Sequence, residues 1–118
     1  RLDHGTNIVE DIDLVQFAAK NKIGLTSCPL SNGYVSPEMK GKEVLELLRQ
    51  DVKVSIHSDD PAYFGGYIGD NYYAIAERYN LTKDQVVKLA RNSFETSWIS
   101  EEKKALYIQE LEDYAAVN

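Results

Sequence analysis

The residues of this chain best equipped for chemistry are His4, Cys28, His57 and the pair Asp59-Asp60. Asp59-Asp60-Pro61 is the strongest local feature. Two adjacent carboxylates leaving a strand end project in different directions, so one can bind a metal while the other holds a substrate. A carboxylate oxygen is a good zinc ligand at roughly 2.0–2.2 Å, and its neighbour can accept a hydrogen bond from a ring nitrogen. The same tripeptide also reads as a turn closed by an Asx hydrogen bond. His4, followed by Gly5, could act as a general acid/base, a contribution typically worth about 10²–10⁴ in rate, or be a hydrogen-bonded structural imidazole. His57 is either an orienting group beside Asp59 or a packed ring. Cys28 has no second cysteine at metal-site spacing, and a nucleophilic thiolate needs a base beside it, so it is expected to be a small buried apolar residue. Tyr63, Phe64 and Tyr67, around Gly65-Gly66, could cover a planar heterocycle or pack their loop against the body of the fold.

These residues need elements to bring them together, and the apolar pattern supplies them. It switches repeatedly between a period of two and a helical period, without internal repeats. Leu14, Val15, Phe17 and Ala18 predict a helix over about 11–21, with Glu10, Asp11 and Asp13 placed where a helix N-terminus favours negative charge. Ile23–Ser27 reads as a short strand. Pro29, Gly33 and Pro37 mark a loop, after which Val44, Leu45, Leu47 and Leu48 give a second amphipathic helix. Val52, Val54 and Ile56 alternate with Lys53 and Ser55 as the next strand, which ends before Pro61. Beyond Gly69 the chain reads as helical, with Tyr72, Ile75, Ala76 and Tyr79 on one face. Thr82 and Gln85 stand in capping-box spacing, and Ser100 with Glu101 and Glu102 reads as another helix start. Alternating strands and helices imply parallel strands joined by right-handed crossovers, with all C-terminal strand ends on one side. His4, Cys28 and Asp59 each follow a strand end, about one βα repeat apart, which places them on one rim.

Composition narrows the function classes. Apolar residues make up 43% and charged residues 27% of 118 residues, with no apolar run near the roughly 18 residues of a membrane span. The net charge of −6 would repel phosphate backbones, and the basic residues are scattered, so a nucleic-acid polymer is a poor partner. No signal-peptide core stands at the N-terminus and the one cysteine cannot form an internal disulfide, so the expected setting is a reducing, cytoplasmic one. The His-x-Glu with Pro-Cys-x-x-Cys signature of cytidine-type deaminases is absent.

Several of these features coincide in order. Arg1-Leu2-Asp3-His4-Gly5, Glu10-Asp11, Ser27-Cys28-Pro29-Leu30-Ser31-Asn32, Ser58-Asp59-Asp60-Pro61 and Ala90-Arg91-Asn92-Ser93-Phe94 together make the chain resemble the adenosine/adenine deaminase family, over essentially its whole length. Ala62-Tyr63-Phe64-Gly65-Gly66-Tyr67 with Asp70-Asn71-Tyr72 looks more like adenine deaminases than adenosine deaminases. The resemblance implies zinc-dependent hydrolysis of adenine to hypoxanthine and ammonia, a purine-salvage reaction, with one zinc ion per complete active site. It assigns His4 to the histidine that positions and helps deprotonate the zinc-bound water, Asp59 to the carboxylate zinc ligand and Asp60 to the purine-binding aspartate. The chain departs from the family pattern in a shorter segment after Ser31-Asn32, in Lys42-Glu43 where the family commonly has His-Pro, and in His57 where Asn is common.

The expected fold class is α/β. Residues 1–118 would be the C-terminal segment of a single (β/α)₈ barrel domain, its last three βα units plus closing helices, since a complete barrel usually needs roughly 250 residues. The family's other zinc ligands and its proton-shuttling glutamate would then lie upstream of position 1, and the 118-residue chain alone would be inactive. Adenosine is the alternative substrate, and a catalytically inactive, self-associating module the alternative role. Expected partners are a small purine and either a second copy or the remaining barrel, which would cover the open strand edges.

Overall fold

The computed structural model describes residues 1–118. Two parallel strands, β1 (Gly24–Ser27) and β2 (Lys53–Ile56), pair in the register Gly24↔Lys53 to Ser27↔Ile56. Both strands are short and buried on both faces, with only Lys53 partly open, as expected of a parallel sheet covered by helices. The Leu25–Val54 neighbours and Ile56 form the centre of a core completed by Val15, Val44, Leu47, Ile75 and Leu89.

The helices are α1 (Ile12–Lys20), α2 (Pro29–Val35), α3 (Gly41–Arg49), α4 (Pro61–Phe64), α5 (Ile68–Tyr79), α6 (Lys83–Glu95) and α7 (Glu101–Val117). Their starts follow from capping chemistry. Asp11 accepts from the Asp13 and Leu14 amides at the head of α1. Thr82 and Gln85 form the reciprocal capping box of α6, and Ser100 caps α7, both as the sequence predicts. Asn80 ends α5 in the left-handed region (φ 52°), a conformation asparagine tolerates better than most residues.

Three expectations change. The first strand is a single parallel bridge, Leu2 to Leu25, made by Leu2 N–H donating to Gly24 O (2.8 Å) and Thr26 N–H donating to Leu2 O (3.0 Å). The chain turns left-handed at His4 (φ 56°) and enters a 3-10 segment over Gly5–Glu10, so the extended run cannot continue. The strands begin one residue later than predicted, at Gly24 and Lys53. Pro29–Val35 is a helix rather than a loop, because Pro29 occupies the first helical position, where its fixed φ fits and its missing N–H is not needed.

One buried polar contact ties the closing helices to the sheet: Asn92 Nδ2 of α6 donates to Val54 O at 2.8 Å. The last helix, α7, buries no residue fully and lies on α6 through the Phe94–Tyr107 stack and the Arg91–Glu112 ion pair (2.6 Å). No helix is long and apolar enough to cross a membrane.

Candidate active site

At the C-terminal ends of the strands lies a cavity of about 450 Å³, and the sequence-predicted residues His4, Cys28, His57 and Asp59 all line it. Parallel pairing aligns the ends of β1 and β2, so Cys28 and the His57–Asp59 turn emerge side by side, and His57 N–H continues the ladder by donating to Ser27 O at 2.8 Å. The Leu2–Leu25 bridge brings His4 to the same edge.

His4 and Asp59 meet there. His4 Nε2 stands 3.8 Å from Asp59 Oδ2, with the two side chains 49% and 34% exposed, so both face an opening reachable from solvent. Both backbones are left-handed at φ 56°. Thr26, buried on β1, supports the histidine turn: its Oγ1 accepts from His4 N–H (3.1 Å) and donates to Asp3 Oδ1 (3.2 Å). Ser31 supports the aspartate, its Oγ donating to Asp59 Oδ2 at 2.7 Å.

Asp60 goes elsewhere. Asp59 is left-handed and Asp60 extended, so the adjacent carboxylates diverge. Asp60 Oδ1 accepts from Tyr63 N–H (3.2 Å) as the N-cap of α4, and the residue is not part of the cavity lining. Tyr63 and Phe64 on α4 form an edge-to-face cluster with Tyr34 of α2, ring centroids 4.9–5.7 Å apart. Tyr34, Tyr63 and Tyr67 are all exposed.

The other polar groups are set by burial and charge. Burial, then the carboxylates of Asp59 and Asp3, push the Cys28 thiol up to about 11, which makes it a protonated, weakly reactive group and agrees with the expected small buried residue. Burial, helped by the positive Arg1 and by His4, lowers the His57 pKa against the opposing pull of Asp3. A neutral His57 imidazole is therefore favoured, its Nε2 2.8 Å from Ser55 Oγ. Neither Lys42 nor Glu43 lines the cavity.

A metal fits one corner of this site. His4, Asp59 and Cys28 offer ligand atoms within 4.8 Å of one another. Ser31 occupies one lone pair of Asp59 Oδ2, and the carboxylate keeps acceptor capacity for a cation on the cavity side. A catalytic zinc needs three protein ligands, and the buried Cys28 thiol would have to give up its proton to serve as the third. A larger groove of about 560 Å³ between α3 and α6 has no such convergence: Arg49 pairs with Glu46 and Lys88 with Asp51.

Sequence reasoning passed over Thr26 and gave no role to Ser31 and Asn71, which it quoted only within longer motifs. Asn71 had a readable signal, since it lies four residues before Ile75 and eight before Tyr79, a polar side chain on the apolar stripe of α5, and it is fully buried.

The chain as a whole is similar to known proteins. A family model described as adenosine deaminase matches residues 1–114. The adenine deaminase of Zymomonas mobilis subsp. mobilis is 47% identical over 97% of this chain and 34% of its own length, and that of Hahella chejuensis 44% identical over 97% and 35%. Among solved structures, adenine deaminase from Arthrobacter aurescens superposes with a TM-score of 0.89 at 34% identity, covering 98% of this chain and 36% of that one. An amidohydrolase from Burkholderia ambifaria with bound zinc superposes at 0.81 and 19% identity over 100% of this chain and 36% of its own, a likeness of fold. The two parallel strands and their helices are thus a sector of a (β/α)₈ barrel, with the cavity at the strand ends where such barrels carry chemistry. The chain spans about a third of the length of the curated relatives it matches. Its motifs, its fold and the match over residues 1–114 lead to one conclusion: the chain belongs to the adenosine deaminase family.

Proposed function

We propose that this chain is the C-terminal part of a zinc-dependent adenine deaminase that converts adenine and water to hypoxanthine and ammonia. The observation that carries this reading is the 3.8 Å approach of His4 Nε2 to Asp59 Oδ2 in one cavity. The similarity to proteins named adenine deaminase, at 44–47% identity, favours the free base over adenosine.

Asp59 would hold the zinc together with ligands from outside residues 1–118. Zinc, when bound, supplies the Lewis acidity that makes water nucleophilic at neutral pH. His4 positions the attacking water and takes its proton, with the Asp59 carboxylate orienting the ring and stabilising the positive charge it gains. As the water oxygen bonds to C6 and the C6–N bond breaks, that proton passes to the departing amine, which leaves as ammonia, and the remaining hydroxyl proton moves to the ring nitrogen of hypoxanthine. Asp60 lies outside the cavity lining, and its second carboxylate oxygen, not used by the α4 cap, would accept a hydrogen bond from a purine that extends toward α4. Ile68 supplies an apolar wall of the cavity.

The test is ammonia release by the full-length protein from adenine and from adenosine. Faster release from adenine supports the reading; equal rates would remove the preference for the free base, and no release from either would remove the activity.

A further inference from the structure

Asn71 is a buried polar residue that the proposed mechanism does not use. Its side chain is fully buried in α5 yet makes three hydrogen bonds. Leu30 N–H donates to Asn71 Oδ1 at 3.1 Å, while Asn71 Nδ2 donates to Tyr67 O at 3.0 Å and to Gly66 O at 3.5 Å. One amide therefore joins the first turn of α2 to the segment between α4 and α5.

The contact has a physical reason. Cys28 stands at the N-cap of α2 and makes no side-chain cap, so the first turn of this helix has backbone donors without local partners. Leu30 is the second residue of that turn, and Asn71 satisfies its donor from another helix, 41 positions away. The next residue, Ser31, donates to Asp59 Oδ2 at 2.7 Å. A path runs from Asn71 to the Leu30 amide, along one residue of helix to the Ser31 hydroxyl, and on to the cavity carboxylate. Gly66 completes the clamp: a Cβ there would lie 2.3 Å from Leu30 Cδ1, so the loop is pressed against the start of α2.

We propose that Asn71 is a positioning residue for Asp59, acting through the first turn of α2 and the Ser31 hydroxyl to aim the carboxylate that receives the metal. This rests on the reading of Asp59 as a zinc ligand. The Asn71 amide touches neither metal nor purine; it sets the orientation of a group that does. Groups that orient a metal's ligands typically change metal affinity about 10–100-fold when removed.

The experiment is a double-substitution cycle on the full-length protein, reading the zinc dissociation constant by chelator competition at a temperature where each variant is folded. Ser31→Ala and Asn71→Ala are each expected to raise the constant about 10-fold, and the double variant no further than Ser31→Ala alone, since both act on one path. Additive effects, or wild-type zinc affinity in the single variants, would overturn the proposal while leaving Asp59 as ligand. Zinc retained by Asp59→Ala would overturn the reading beneath it, and the proposal with it. Amide exchange on the unsubstituted protein needs no variant to fold: Leu30 N–H is expected to be protected like the hydrogen-bonded amides of β1. Free exchange at Leu30 would refute the clamp.

Discussion

Asp59 Oδ2 and His4 Nε2 face each other at 3.8 Å, and both residues sit in the left-handed region at φ 56°. A non-glycine residue there costs about 1–2 kcal/mol, somewhat less for aspartate, so each of these turns carries local strain. The strain predicts a specific pattern. In the metal-free protein Asp59→Gly should be more stable than Asp59→Ala by about 1 kcal/mol in urea unfolding, because only glycine adopts that backbone freely. Both should lose zinc equally. An alanine variant as stable as the glycine variant would remove strain from the account.

Asp60 caps α4, and the purine-binding role proposed for it can be separated from that cap by substitution. Its Oδ1 caps α4, so Asp60→Ala should cost about 1 kcal/mol of stability as well as weakening purine binding. Asp60→Asn keeps a capping oxygen, and should stay within a few tenths of a kcal/mol of the parent while raising KM for adenine about 10-fold. Zinc content should be unchanged in both. Thermal melts and steady-state kinetics on the full-length protein distinguish the two roles, and an unchanged KM in both variants would end the substrate role.

A packing prediction concerns the edge of the core. Gly41 opens α3 against the ring of Tyr79, and a Cβ there would meet ring carbons at 2.2 Å. Gly41→Ala should therefore destabilise the fold by about 1–3 kcal/mol, the usual cost of forcing an extra carbon into a packed site. Tyr79→Leu in the same background should recover part of it. Equilibrium urea unfolding gives the comparison.

The pH dependence of stability should carry a contribution from Glu95. Burial works to raise its pKa, but Lys53 Nζ at 2.6 Å and Arg91 Nε at 3.1 Å outweigh it and hold the carboxyl below its ordinary value. A depressed folded-state pKa contributes stability above the unfolded value of about 4.3 that is lost as pH falls through the folded value. Glu95→Gln should thus lower stability by about 1 kcal/mol at pH 7 and by much less near pH 3. An equal loss at both pH values would show that packing, not charge, is responsible.

Much of this arrangement was legible in the sequence because it rests on local chemistry. The β-branched run through Val52, Val54 and Ile56 marks a strand, and Thr82 with Gln85 marks a helix start, whatever surrounds them. Parallel topology then brings His4, Cys28 and Asp59 to one edge without knowledge of side chains. Elements that depend on context were harder to read. Pro29 punctuates a loop or opens a helix depending on the backbone it follows, and here it opens α2. Asp60 was legible as half of an acidic pair, but not that a left-handed Asp59 would turn it toward α4. Ser31 and Thr26 are ordinary residues whose contacts are made over more than twenty positions of chain, and no local pattern announces such partners.

The most direct test of the central claim is the position of zinc in a crystal of the full-length protein, located by anomalous scattering. The account predicts a single strong peak within about 2.2 Å of an Asp59 carboxylate oxygen, with the His4 imidazole bordering the same cavity. A zinc peak bound elsewhere, with Asp59 held only by Ser31, would contradict it.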